Sequence, residues 1–141
     1  YSGHPTACAV ALKNLEIIEQ EGLVESANQM GEELKKGLKY LEDRHPIVGK
    51  SRGLGLLGAF ELFEDPEAEK RFDPSVKAAP RVVEKCFERK LIVRPITYGG
   101  TDTVAMAPPL VINKEEVEKL LTHIVCSKLS YAFSIFTECY T

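Results

Sequence analysis

With 141 residues, 44% of them hydrophobic and 28% charged, the chain has enough apolar material for one core and none of the bias of a disordered or low-complexity segment. Its net charge of −3 is spread along the sequence. That excludes the basic face a nucleic acid or an anionic membrane would need, and leaves a small molecule or another protein surface as the expected partner.

The chain opens with Tyr1-Ser2-Gly3-His4-Pro5, an aromatic, a small hydroxyl and a glycine ahead of a proline, which reads as a tight loop running into a helix. The first N–H groups of a helix lack internal acceptors and the helix dipole is positive there, so a phosphate or carboxylate near Ser2 to Thr6 would be stabilised. His4 has the chemistry of an acid or base, but beside Pro5 a capping or packing role is expected. The helix should cover 5–20, with Ala7, Ala11, Leu15 and Ile18 on one face, and end at Gly22. A second helix follows, in which Leu23, Ala27, Met30, Leu34, Leu38 and Leu41 form the apolar stripe and Glu32, Glu33, Lys35, Lys36 and Lys39 the wet side.

Beyond Ile47 the periodicity changes. Residues 47–49 and 54–63 are short, apolar and punctuated by glycine, and read as strands, the second apolar on both sides until Glu61. Glu64-Asp65-Pro66 closes them, and a charged loop runs to Pro74. A helix is expected over 78–89 with Ala79, Val83 and Phe87 buried, then a strand over 91–93 and a polar turn over 97–102 containing Gly99-Gly100. A strand over 104–107 is stopped by Pro108-Pro109, since proline cannot donate to a ladder. Asn113 and Glu116 have capping-box spacing, so a last helix should run through Val117, Leu120, Leu121 and Ile124. This order predicts an α+β fold, with helices packed on one face of a small, mainly antiparallel sheet.

Three features could carry chemistry. Gly53-Leu54-Gly55-Leu56-Leu57-Gly58 satisfies G-x-G-x-x-G, with Asp73 twenty residues after Gly53. A dinucleotide site needs those glycines between a strand and a helix, whereas here they fall within a predicted strand, so they are expected to admit a neighbouring backbone or ligand instead. Arg94, just before Pro95, can grip a carboxylate with two charge-assisted bonds, or equally pair with a nearby glutamate at the surface. Cys8, Cys86, Cys126 and Cys139 are widely spaced, without a C-x-x-C pair or histidines at ligand spacing. Neither a zinc site nor a disulfide framework is indicated, and reduced cysteines of a cytoplasmic protein are expected.

Four stretches in order resemble the class III (omega) aminotransferases: Tyr1-Ser2-Gly3-His4-Pro5 with the helix after it, Ser51-Arg52-Gly53-Leu54-Gly55-Leu56-Leu57-Gly58, Leu91-Ile92-Val93-Arg94, and Ala107-Pro108-Pro109-Leu110-Val111-Ile112. The resemblance spans about residues 1–125 and implies the C-terminal small domain of a pyridoxal 5'-phosphate enzyme. The large domain would lie upstream of Tyr1 and a second identical subunit would complete the site. It further implies an amino donor that is an omega-amino acid or amine, and a keto acid such as pyruvate as acceptor. In such enzymes the threonine before Tyr-Ser-Gly reaches the cofactor phosphate of the neighbouring subunit, so Tyr1, Ser2 and Gly3 would flank that phosphate. Arg94 would swing toward a carboxylate substrate, and the loop from Arg94 to Ala107 is longer than in several relatives.

Ornithine and 4-aminobutyrate aminotransferases carry an arginine where Ala105 stands, so a fixed carboxylate clamp is missing there. The Schiff-base lysine belongs to the large domain, so no lysine of this chain is nominated and the chain alone is not expected to transaminate. Residues 126–141 depart from the family as a divergent apolar tail. The competing expectation is a non-catalytic α/β module for protein association or ligand binding.

Overall fold

A computed structural model of the protein describes residues 2–126; Tyr1 and the tail beyond Cys126 lie outside the described residues. Helix α1 covers Pro5–Gln20 and α2 covers Leu23–Arg44. They are separated at Gly22, whose φ of 60° is a left-handed conformation that a side chain would strain. Strands β1 (Val48–Leu54) and β2 (Leu57–Leu62) follow, then α3 (Ala78–Glu88), β3 (Arg94–Ile96), β4 (Thr103–Met106) and α4 (Lys114–Cys126). The strands form one antiparallel sheet in the order β1-β2-β4-β3. This is the expected α+β arrangement.

The core lies between the sheet and helices α2, α3 and α4. Leu34, Leu38 and Leu41 of α2 meet Phe60 and Leu62 of β2, Val104 of β4, Ala79 and Cys86 of α3, and Val117 and Ile124 of α4. Period-four leucines on α2 and period-two residues on β2 thus face one another, as the two geometries require. At Gly58 a methyl group would stand 3.0 Å from Leu38 and 3.1 Å from Leu34, so the missing side chain lets α2 sit down on the sheet. Asn113 caps α4 as the spacing predicts. Its side chain accepts from the Glu116 N–H at 3.0 Å, while Glu116 accepts from the Asn113 N–H at 3.0 Å.

Three local expectations are corrected. The stretch 54–63 is not one strand but a hairpin, because Gly55, at φ 52°, opens a two-residue turn between β1 and β2. The strand expected at 47–49 therefore runs on to Leu54, through a bulge at Lys50 and Ser51 where the register shifts. The buried face of α3 is Ala78, Ala79, Val82 and Cys86, one step from the predicted phase, and Phe87 is 68% exposed. Residues 91–93 form no strand: Val93 is buried and Ile92 is 82% exposed, and the strand begins at Arg94.

Candidate functional site on the open face of the sheet

The position of Arg94 is set by how α3 ends. The Lys90 N–H donates to the Phe87 carbonyl at 2.8 Å and the Leu91 N–H to the Cys86 carbonyl at 3.0 Å, with Lys90 at φ 63°. This is a Schellman ending, with lysine accepting the left-handed conformation usually given to glycine. It reverses the chain so that Leu91 and Val93 drop toward the core and Arg94 enters β3 at the sheet edge. Pro95 is tolerated next to it because an edge strand has a free side that needs no donor.

Registered pairs put Arg52, Ala59, Ala105 and Arg94 in one row across β1, β2, β4 and β3. Side chains paired this way share a face, and it is the face turned away from Phe60 and Val104. At about 4.8 Å per strand, the two arginines stand roughly 14 Å apart across a floor of two alanines. The row lies in an open groove of about 590 Å³, walled by Leu54 and Leu57 at the hairpin tip and by Ile96 on β3.

The two arginines differ in state. Arg52 is committed: its Nη1 donates to Glu61 Oε1 at 2.7 Å. Glu61 is buried, and its other oxygen lies 3.2 Å from Arg71 Nη2 in an ion pair without an aligned hydrogen bond. Arg71 in turn stacks on Phe63, 5.3 Å from the ring centre. Removing Arg52 would take a hydrogen bond from the buried Glu61 and, among the described residues, leave it the Arg71 ion pair alone, so the Arg52 pair is favoured. The Arg94 guanidinium forms no ion pair or hydrogen bond among the described residues. It is the side chain in the groove that can receive an incoming carboxylate.

The loop after β3 is held by the Thr101 hydroxyl, which donates to the Tyr98 carbonyl at 2.9 Å. Below it, Asp102 is buried and accepts from the Ala79 N–H at 2.9 Å, capping α3 from the far end of β4. Sequence reasoning treated Asp102 as part of a polar turn and Glu61 only as the end of an apolar run. Both are buried carboxylates whose partners lie far along the chain.

The start of α1 is a separate place: no described residue lines both it and the groove. Ser2 and Gly3 form the expected turn, both exposed, with φ of 34° and 81°. His4 is exposed and its side chain caps nothing, so the capping expected of it is not found. The Cys8 N–H donates to the His4 carbonyl, while no described side chain serves the N–H groups of Thr6 and Ala7. Gly3 has nothing within 4 Å of where a Cβ would lie. Unclaimed donors, two hydroxyl side chains and an uncrowded glycine are a donor set that fits a phosphate.

The lysines tell the opposite story. Lys36, Lys39 and Lys85 are exposed and their pKa values are raised, chiefly by hydrogen bonds to Glu33, Asp43 and Glu88 respectively. A lysine that attacks a carbonyl needs the reverse shift, from burial or a like charge. Every lysine among the described residues is exposed. No disulfide joins Cys8, Cys86 and Cys126 to one another, and no cluster of metal-binding side chains occurs among the described residues. The G-x-G-x-x-G glycines lie across a hairpin, which excludes the strand-to-helix turn of a dinucleotide site.

A helix-backed antiparallel sheet, with an arginine that is unpaired among the described residues set over an alanine floor, is an α+β domain with an open groove on one face. Residues 1–127 match the family model of the class III aminotransferases, and the chain belongs to that family. It is 42% identical over 121 residues to the diaminobutyrate–2-oxoglutarate transaminase of Halomonas elongata, an alignment covering 86% of this chain and 25% of that protein. It is 39% identical over 124 residues to the putrescine–pyruvate aminotransferase of Pseudomonas aeruginosa, covering 86% and 26% respectively. A solved transaminase from the marine bacterium Virgibacillus superposes with a TM-score of 0.90 at 44% identity, covering 94% of this chain and 30% of that one. The chain thus spans about a quarter of the length of these curated relatives.

Proposed function

We propose that the chain is the C-terminal small domain of a pyridoxal 5'-phosphate-dependent class III aminotransferase. In the complete enzyme it moves an amino group from an omega-amino acid or amine to a keto acid such as pyruvate. Its partners are the large domain of the same polypeptide and a second identical subunit, in the cytoplasm. The observation that carries the reading is Arg94, a cation without a partner among the described residues, set beside Ala105 on the open face of the sheet.

When bound, the cofactor supplies the carbonyl that takes up the amino group and the ring that withdraws the electron pair. This chain supplies recognition. Arg94 holds the substrate carboxylate by charge-assisted bonds, and having no ion pair among the described residues it can turn away when the donor is an amine. Ala59 and Ala105 keep the floor shallow, and Leu54 and Leu57 give an apolar wall for an alkyl chain. Ser2 and Gly3, with Tyr1 next to them in sequence, would flank the cofactor phosphate of the neighbouring subunit, where the open N–H groups at the start of α1 would lend positive potential. The chain by itself does not transaminate, since its described lysines are all solvated.

Intact mass of the protein as its cell makes it, with absorbance at the Schiff-base band, tests this reading. A polypeptide several times longer that carries the band is the expected result. A product of this length with no band would overturn it.

A further inference from the structure

Among the described residues, the charged side chains that line the groove are Arg52 and Arg94, and no acid lines it with them. Arg94 is free to turn. Arg52 is held, but along one edge only. Its Nη1 donates to Glu61 Oε1 at 2.7 Å and to the Lys50 carbonyl at 3.1 Å, which uses both hydrogens of that nitrogen. Nε and Nη2 have no partner among the described residues. Together they form the side of the guanidinium fork that grips a carboxylate with two parallel bonds. The side chain is 54% exposed, so a ligand can reach that edge. Glu61 offsets one of the two guanidinium groups beside it, Arg52 and Arg71, so this end of the groove keeps a positive charge.

The bulge in β1 is what puts Arg52 there. From Gly49 to Arg52 the strand advances three residues, while its partner β2 advances two, from Glu61 to Ala59. Without the extra residue Arg52 would lie opposite Gly58, on the face that packs against Leu34 and Leu38, because a shift of one residue exchanges the faces. The bulge therefore turns Arg52, and Leu54 two residues on, to the open face. Two features hold it. Lys50 takes the left-handed conformation, at φ 48°, and its carbonyl, left out of the β1–β2 register, is the one that Arg52 binds. Ser51 is pinned to α2: its N–H donates to Glu42 Oε2 at 3.3 Å, and its hydroxyl donates to the same oxygen.

We propose that Arg52 is a second, fixed anion anchor of the groove, and that Ser51 and Glu42 are positioning residues that hold the bulge and so the anchor. The inference rests on the function proposed above and narrows its substrates. The acid held best carries a second carboxylate, which meets Arg52 while Arg94 closes on the first. Arg94 turns to its ligand, whereas Arg52 stays with Glu61 and selects by distance. The strand spacing sets the two arginines roughly 14 Å apart at the backbone. Charge-assisted bonds of about 2.8 Å at each end leave a span that suits a short diacid.

Calorimetric titration of the complete enzyme with glutarate, a short diacid, and with butyrate, a comparable monoacid, tests this. Glutarate should bind about 10-fold or more tightly than butyrate, the worth of one further hydrogen bond to a charged group. Arg52→Lys keeps a charge for Glu61 but has no second edge to offer. It should abolish most of that ratio with the unfolding midpoint little moved. Ser51→Ala keeps every charge and should lower the ratio by loosening the bulge, and Ser51→Thr, which retains the hydroxyl, should restore it. A ratio unchanged in Arg52→Lys, or butyrate weakened as much as glutarate, overturns the anchor. Should Arg52→Lys fail to fold, Ser51→Ala decides, since an unchanged ratio there overturns the inference as well. A complete protein without the Schiff-base band overturns the proposed function instead, and the glutarate-to-butyrate ratio still decides the role of Arg52.

Discussion

Ala59 and Phe60 are neighbours on β2, and each is paired across to β4, the first with Ala105 and the second with Val104. Phe60 and Val104 are fully buried under α2, while Ala59 and Ala105 floor an open groove. Between the two faces, identical backbone geometry is put to opposite uses, and only side-chain size and charge distinguish them. The dry face is filled by large residues with period two and holds the fold together. The wet face is kept small in the middle and charged at both edges, and what it lacks in bulk leaves the groove open. A change on one face should therefore be felt as stability and a change on the other as recognition.

The largest separation of the two comes from Phe60→Ala. Deleting that side chain leaves a cavity against Leu34, Leu38 and Val104, and should cost about 3–5 kcal/mol in denaturant unfolding. Equal loss from Ala59→Gly on the opposite face would refute the division. Gly31→Ala is next. A methyl there would stand 2.4 Å from the Gly55 carbonyl oxygen, a backbone atom of the hairpin turn that cannot rotate aside. The turn must lift, at about 1–3 kcal/mol of overpacking. Because Leu54 and Leu57 flank that turn and wall the groove, this variant is expected to damage both faces at once, with KM of the complete enzyme rising alongside the stability loss.

How far the faces can be read from sequence differs. The dry face is legible, because the α2 leucines at three and four spacing and the Asn113–Glu116 capping pair are local patterns that the structure reproduces. The hairpin was missed because Gly55 and Leu56 turn the chain inside an unbroken apolar run, where periodicity alone gives no signal. Phe87 was misplaced because the helix phase was taken from Ala79 and Val83, when Ala78 and Val82 carry it. Arg94 was singled out on the wet face, but the Arg52–Ala59–Ala105–Arg94 row and the Glu61 clamp need the strand register, which no local pattern encodes. The exposure of α1 was also invisible, since an apolar face predicts burial without saying by what.

On the wet face, Arg94→Ala in the complete enzyme should lower kcat/KM for carboxylate substrates about 10–100-fold, the worth of a hydrogen bond to a charged group. Simple amines should be used almost as before, and the unfolding midpoint should not move, because Arg94 supports no ion pair among the described residues. Arg94→Lys restores charge but not the two-pronged geometry, so recovery should be partial. Ala105→Arg places a like charge directly across from Arg94, and is expected to trade stability for a fixed carboxylate clamp. An unchanged ratio of carboxylate to amine substrates in Arg94→Ala would remove Arg94 from recognition.

The smallest expected effect is a pH dependence confined to the dry side. His45 follows the C-terminus of α2, where burial first and the neighbouring Arg44 second hold its pKa below the ordinary 6.5. Protonation is therefore harder in the folded chain than in the unfolded one. The stability tied to neutral His45 is complete above pH 6.5 and is lost as pH falls through the lowered folded value. Carboxylates such as Glu32 and Glu33, held below 4.5 by their lysine partners, respond only in a lower range. His45→Gln should flatten the stability profile just below pH 6.5 and leave the acid limb in place. The groove should be indifferent over the same interval, since His45 is not among the residues that line it. Carboxylate affinity of the complete enzyme that falls in step with His45 protonation would show that the two faces are coupled through β1, against the division drawn between them.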